Sequence, residues 1–224
     1  MEITKYFTQW KYRVHILKTL YFNFKYLSLR EAIKFPYLIG CNVIFRTLKG
    51  SVQIDAPIKR GMIRIGFRDM GIQNEKDQKT ILDLRAESQL IFKGCASIGA
   101  GARIYTKGIL TIGDDFYLSL NSTIIAHENV SFSKSCTVGW DSLIMDTDFH
   151  KVYNFYTGEK YPMTKPILIG EHVWICNECQ ILKGAVIPDD TIIASKSLIN
   201  SALNTPPFAC RRMSCTFEKR RGNT

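Results

Sequence analysis

Isoleucine returns every six residues, without a miss, at Ile169, Ile175, Ile181, Ile187, Ile193 and Ile199. Two places before each lies a second register of mostly small or β-branched residues: Ile167, Val173, Cys179, Ala185, Thr191 and Ser197. The chain holds 27 isoleucines in 224 residues. Six hits at fixed spacing then arise by chance in roughly 10⁻⁶ to 10⁻⁵ of registers, so the repeat is a signal. A period of six matches neither the helical 3.6 nor the strand period of 2. It predicts a short strand, a corner and another short strand, repeated. β-Branched isoleucine suits the strand position because its stiff χ1 packs well on a pleated surface. Small or permissive residues such as Gly170, Gly184, Pro188 and Ala194 suit the corners. Stacked units of this kind bury a column of isoleucine, which is an all-β solenoid.

The same phasing extends upstream. Phe92, Ile98 and Ile104 share one register; after a two-residue shift it resumes at Ile112, Leu118 and Ile124, and after another at Phe132, Val138 and Ile144. The eight-residue steps predict slightly enlarged corners. Between residues 51 and 97 the pattern is weaker, with irregular early coils expected and a polar loop at 73–80. The repeat stops between Ile144 and Ile169, where DTDFHKVYNFYTGEKYPMTKP fills most of the gap. A long excursion from a regular scaffold is more often functional than accidental, so an extruded loop is expected at about 146–166. Near the start, Val14, Leu17, Tyr21 and Phe24 fall at three- and four-residue steps, predicting a short amphipathic helix near 10–24. The expected organisation is an N-terminal basic and aromatic extension (1–50), a β-helix (51–202) and a basic tail (203–224).

The motifs Gly170-Glu171-His172-Val173-Trp174-Ile175, Ile181-Leu182-Lys183-Gly184 and Ile193-Ala194-Ser195 resemble the hexapeptide-repeat acyltransferases. Asp146-Thr147-Asp148-Phe149-His150 is similar to the segment that carries that family's catalytic histidine. The resemblance spans about 98–200 and is nearest the sugar O-acetyltransferases, including galactoside acetyltransferase-like and surface-polysaccharide enzymes. It implies a left-handed parallel β-helix, with three hexapeptides per coil, and a homotrimer with sites at its interfaces. It also implies acetyl-CoA as donor and a sugar or polysaccharide precursor as acceptor. His150 is the implied base, and Asn121, Asp148 and Trp174 the implied acceptor-binding residues. Cys176, Asn177, Ala194, Ser195 and Lys196 are expected beside the cofactor. Two departures stand out: Cys176 occupies a position usually held by Gly, and the chain after Ser201 lacks the family's Ala-Gly-x-Pro-Ala signature.

Charge sharpens the picture at the ends. The formal net charge is +10, but residues 1–50 alone carry nine Lys/Arg and two Glu, together with eleven of the 26 aromatics. Such a segment suits either a packed end-cap or contact with a membrane surface or acidic glycan. No RNP, zinc-finger or helix-turn-helix pattern supports nucleic-acid binding. The start lacks the apolar core and cleavage site of a signal peptide, and no apolar run approaches the roughly 18 residues of a membrane span. A cytoplasmic protein, associated with the inner membrane face, is the expectation. Cys176 and Cys179 have CxxC-like spacing without a second pair or a histidine set, so packing is expected of them and no metal.

Acetyl transfer to a hydroxyl needs a base for the hydroxyl proton and a donor for the oxyanion. Histidine is suited to the first task because its pKa lies near operating pH. Transfer to the nitrogen of an amino sugar, or an inactive β-helix scaffold that binds a glycan or a partner protein, are the alternatives. A zinc-dependent carbonic anhydrase of the same fold would need three converging histidines, and His127, His150 and His172 contain no closely spaced pair.

Overall fold

The computed structural model describes residues 14–67 and 78–203. Residues 1–13 of the expected extension, most of the polar loop at 73–80 and nearly all of the 203–224 tail lie outside these. Twenty short strands stack into three flat faces of parallel sheet. Face one runs from Tyr37–Ile39 through Ile63–Ile65, Ala96–Ile98, Phe116–Leu118, Thr137–Val138 and Trp174–Ile175 to Ile192–Ile193. Face two begins at Val43–Leu48 and ends at Leu198–Ile199; face three begins at Ser51–Ile54 and ends at Val186–Ile187. Each coil visits the faces in that order, as the six-residue pattern predicts. The first coil starts at Tyr37, so the β-helix reaches into the segment assigned to the N-terminal extension.

Both hexapeptide registers point inward. Ile169, Ile175, Ile181, Ile187 and Ile193 are buried, and so are Ile167, Val173, Cys179, Ala185 and Thr191. Each face therefore buries a large residue and, two places before it, a smaller one, and cross-coil pairing sets like above like: Val138 over Ile175, and Ile175 over Ile193. Burying one such isoleucine is worth about 1.5–3 kcal/mol. The eight-residue steps fall at the corner from face two to face three. There Leu84, Thr106 and Ala126 add one more buried position before the turn.

The corners do not rely mainly on the small residues singled out by pattern. The left-handed position after face one is filled by Gly101, Asn121, Asp141, Glu178 and Lys196, and the one before face one by Asp115, Ser135, His172 and Asp190. Each non-glycine there costs of order 1 kcal/mol, accepted because only a sharp corner keeps the coils in register. Glycine is needed instead where coils approach closely. A Cβ on Gly139 would lie 2.6 Å from the backbone nitrogen of Asn177.

The first helix, α1 (Ile16–Tyr26), begins within the span expected to be helical and turns its apolar stripe away from the solenoid. Leu17, Tyr21 and Phe24 face outward, 72%, 53% and 43% exposed, while Thr19, Phe22 and Asn23 are buried. The cause is the open edge of the first coil. Asn23 Nδ2 donates to the Tyr37 carbonyl (2.8 Å), Asn23 Oδ1 accepts from Tyr37 N (3.2 Å), and Thr19 Oγ1 accepts from Ile39 N (3.1 Å). An unpaired strand edge needs partners, so the helix turns its polar side to the solenoid and Phe22 plugs the apolar centre. Asn23→Ala should lower stability by about 3 kcal/mol, because it strands a buried donor and a buried acceptor. Chemical denaturation measures this; an unchanged midpoint would show the cap to be dispensable.

Candidate active site

The break in the repeat is built around Asp146. In ordinary coils the corner after face two bonds to the coil above through carbonyls: Lys107 N and Gly108 N both donate to Ala126 O, and Ile109 N donates to Glu128 O. One coil later the chain leaves the solenoid, and its own carbonyls are no longer in place. The carboxylate of Asp146 takes over, accepting from His127 N (2.7 Å), Glu128 N (2.8 Å) and Asn129 N (2.8 Å). Asp146 is fully buried in the inward register shared with Leu84, Thr106 and Ala126. Its carbonyl, freed from that duty, accepts from Lys165 N at 3.1 Å and closes the neck of the excursion.

Beyond this neck the segment is an ordered arm. Thr147 bridges Thr164, and Val152–Tyr153 pairs antiparallel with Lys160–Tyr161. Asn154 organises the tip by accepting from the backbone N–H groups of Tyr156 and Thr157. Phe155 and Tyr156 at the tip are each 92% exposed.

His150 stands at the root of this arm, exposed, and makes no side-chain hydrogen bond among the described residues. It follows Phe149, which is left-handed (φ 60°) and whose ring packs edge-on against Tyr105 and His127. Asp148 does not hydrogen-bond His150. Its carboxylate is taken by the ammonium of Lys183, which also donates to the Pro162 carbonyl (2.8 Å). Lys183 thus fastens the arm to the next coil.

The other site residues gather elsewhere. Cys176, Asn177, Ala194, Ser195 and Lys196 stack at the corner between faces one and two of the last two coils. Ser195 Oγ donates to Asn177 Oδ1 at 2.6 Å, Lys196 N donates to Asn177 O at 3.1 Å, and Lys196 pairs with Glu178. Trp174 projects outward from face one, 40% exposed, immediately before this corner. Asn121 occupies the left-handed position of the same corner two coils earlier, with its side chain over Gly101. Within one chain, then, Trp174 and the expected cofactor residues share one side, and His150 and Asp148 lie on another.

The thiols are packing groups. Cys179 is buried and its Sγ donates to Ala194 O (3.1 Å), and burial pushes both the Cys176 and Cys179 thiols up. His172 is a left-handed corner residue beside Asp190. Among the described residues no three of His, Cys, Asp and Glu are placed to share a metal ion.

One feature escaped the sequence pattern. An open groove of about 480 Å³ lies along the corner between faces two and three, lined by Thr47, Lys49, Arg85, Ala86, Tyr105 and Lys107. It leads toward Phe149 at the root of the arm. Lys49, Arg85 and Lys107 directly follow the inward Leu48, Leu84 and Thr106, and Thr47 and Tyr105 directly precede Leu48 and Thr106, a relation visible only once the coil register is known.

Coils, faces and arm together define a parallel β-helix built from hexapeptide repeats. No protein-family model matches the chain. A stretch of 62 residues is 36% identical to the polysialic acid O-acetyltransferase of Neisseria meningitidis, spanning 28% of this chain and 29% of that relative's length. The structure is similar to that of the polySia-specific acetyltransferase NeuO, with a TM-score of 0.51 over 75% of this chain and 74% of that one, at 14% identity. For the polysialic acid O-acetyltransferase OatWY the TM-score is 0.39 over 74% and 79%, at 19% identity. The likeness to NeuO establishes the shared β-helix fold.

Asp146→Ala should leave three backbone donors of the 127–129 corner without an acceptor. A loss of about 3 kcal/mol or more is expected. Asp146→Asn should fall between, since an amide offers one acceptor oxygen in place of two. Urea unfolding of both variants checks the order; equal stability of all three proteins would remove this role.

Proposed function

We propose that the protein is an acetyl-CoA-dependent O-acetyltransferase that acts on a sugar hydroxyl in surface-polysaccharide assembly. The observation that carries this reading is the break in the hexapeptide repeat after Ile144, an ordered arm with DTDFH at its root. The match to a polysialic acid O-acetyltransferase and the fold shared with NeuO support it.

In the proposed reaction His150 Nε2 or Nδ1 takes the proton from the sugar hydroxyl as its oxygen attacks the thioester carbonyl. The imidazolium then returns that proton to the departing thiol, so no covalent enzyme intermediate is needed. Asn121 and Trp174 are proposed to position the acceptor and wall the site, Trp174 through its indole N–H and its ring. Asp148, held by Lys183, is proposed to contact acceptor hydroxyls at the base of the arm. Cys176, Asn177, Ala194, Ser195 and Lys196 form a continuous corner with exposed polar side chains, suited to an extended pantetheine chain and a phosphate.

His150 and Trp174 lie on different sides of one chain, so a site that uses both needs a second copy. A homotrimer with three interfacial sites meets that need by closed symmetry. His150→Ala should abolish thiol release from acetyl-CoA in the presence of acceptor, a fall of at least about a hundredfold. Co-assembly of His150→Ala with Trp174→Ala chains should restore part of the rate, because some interfaces then hold both residues. Undiminished turnover by His150→Ala sinks the mechanism, and absence of rescue places the site within one chain. Product analysis separates ester from amide transfer, and an absence of turnover with every acceptor favours the glycan-binding scaffold.

We also propose that the N-terminal segment touches a membrane surface. No helix among the described residues is long and apolar enough to cross a membrane. The outward stripe of α1 (Ile16, Leu17, Tyr21, Phe24), with exposed Lys25 and Arg30 nearby, suits shallow insertion beside anionic lipid. The protein should co-sediment with vesicles containing phosphatidylglycerol, and Leu17→Glu/Phe24→Glu should release it. Equal sedimentation of that variant would place the contact elsewhere.

A further inference from the structure

We infer that the groove between faces two and three is a binding track for an acidic glycan chain, which it leads to His150. This deepens the reading of the protein as a glycan acetyltransferase and rests on it.

The track comes from register. Leu48 pairs with Leu84, Leu84 with Thr106, and Thr106 with Ala126. The next residue in each coil is therefore Lys49, Arg85, Lys107 and His127, one above another at about 4.8 Å per coil. Lys107 Nζ donates a hydrogen bond to His127 Nε2 at 3.4 Å, and Lys49, Arg85 and Lys107 form the cationic part of the column. Like charges in neighbouring strands repel and lower stability.

At four other places neighbouring coils set opposite signs together. Lys93 meets Asp55, Lys134 meets Glu171, His172 meets Asp190 and Lys196 meets Glu178. Among the described residues of the groove only Arg85 has a carboxylate partner: buried Asp83, 3.0 Å away and also approached by Arg46. Glu87 and Glu128 share the corner but do not line the groove, so its lining holds three cations and no acid. A column of this kind is relieved by an anion bound along it.

Shape narrows the choice of anion. Arg85 lies over the ring of Tyr105 at 5.5 Å, and Tyr105 packs against Phe149, the residue before His150. Cations spaced by one coil, with the Tyr105 ring beside them, match a chain of carboxylate-bearing sugars. The cations repeat at the coil spacing, ~4.8 Å. Four coils would carry the chain from Lys49 to the arm and present a sugar hydroxyl at its root.

Binding measured without turnover tests this. Oligosialic acid of increasing length is titrated into the His150→Ala protein by calorimetry, beside neutral dextran oligomers and a single-stranded oligonucleotide of equal charge. Oligosialate should bind, its affinity rising with length to about four units and falling severalfold between 50 and 200 mM salt as screening grows. Dextran should not bind. Lys49→Glu/Lys107→Glu should weaken oligosialate at least tenfold, and Tyr105→Ala severalfold, with the unfolding temperature of the charge-reversal variant not lowered. Lys49→Ala/Lys107→Ala serves if the charge reversals impair folding.

Equal affinity in the lysine variants, equal binding of dextran, or tighter binding of the oligonucleotide would overturn the proposal. Because transfer is absent from this measurement, the outcomes separate. Binding lost in the lysine variants while wild-type protein shows no acetyl transfer keeps the track and removes the enzyme. Transfer with unchanged binding in the variants does the reverse.

Discussion

Every coil of this protein hands its backbone donors to the carbonyls of the coil above, and the rest of the structure follows from keeping that exchange unbroken. An orphaned buried N–H or C=O is costly, so each place where stacking fails needs a substitute. At the N-terminal end the substitutes are Thr19 and Asn23 of α1, which pair with the edge of Tyr37–Ile39. At the excursion the substitute is the carboxylate of Asp146, which satisfies three donors at once. The two devices look unrelated in sequence and do the same work.

This need also explains where the candidate site residues can be. A loop can leave a solenoid only where its departure has been compensated, and Asp146 provides that compensation after Ile144. The arm is tied at its neck by Thr147–Thr164 and by Lys183 on Asp148, so His150 is carried on a fixed base while the tip remains exposed. The same corner in earlier coils carries Lys49, Arg85, Lys107 and His127, since a parallel register repeats any corner preference coil after coil.

The helix shows how a local pattern is overruled. Leu17, Tyr21 and Phe24 form an apolar stripe that periodicity alone turns toward the core. The edge of the first coil needed hydrogen-bond partners more than further apolar cover, and the core could take only Phe22. The polar side therefore went inward, and the stripe was left outside, beside Lys25 and Arg30.

What the sequence determined by itself was the architecture from about residue 92 onward and the interruption after Ile144, in which His150 lies. Six-residue spacing is a local property, and the residues that obey it are those that stack. It did not reveal the role of Asp146, which reads as one acid among several in DTDFH, nor the column at the second corner, whose members are 36, 22 and 20 residues apart. Those intervals are irregular because corners and loops differ in length, while the coil register that aligns them is uniform. Which side of α1 faces inward, and the separation of His150 from Trp174 onto different sides of the chain, were likewise decided by tertiary structure. Both depend on which backbone groups are left unpaired and on how far around the coil two residues lie, and neither quantity is written in the neighbouring sequence.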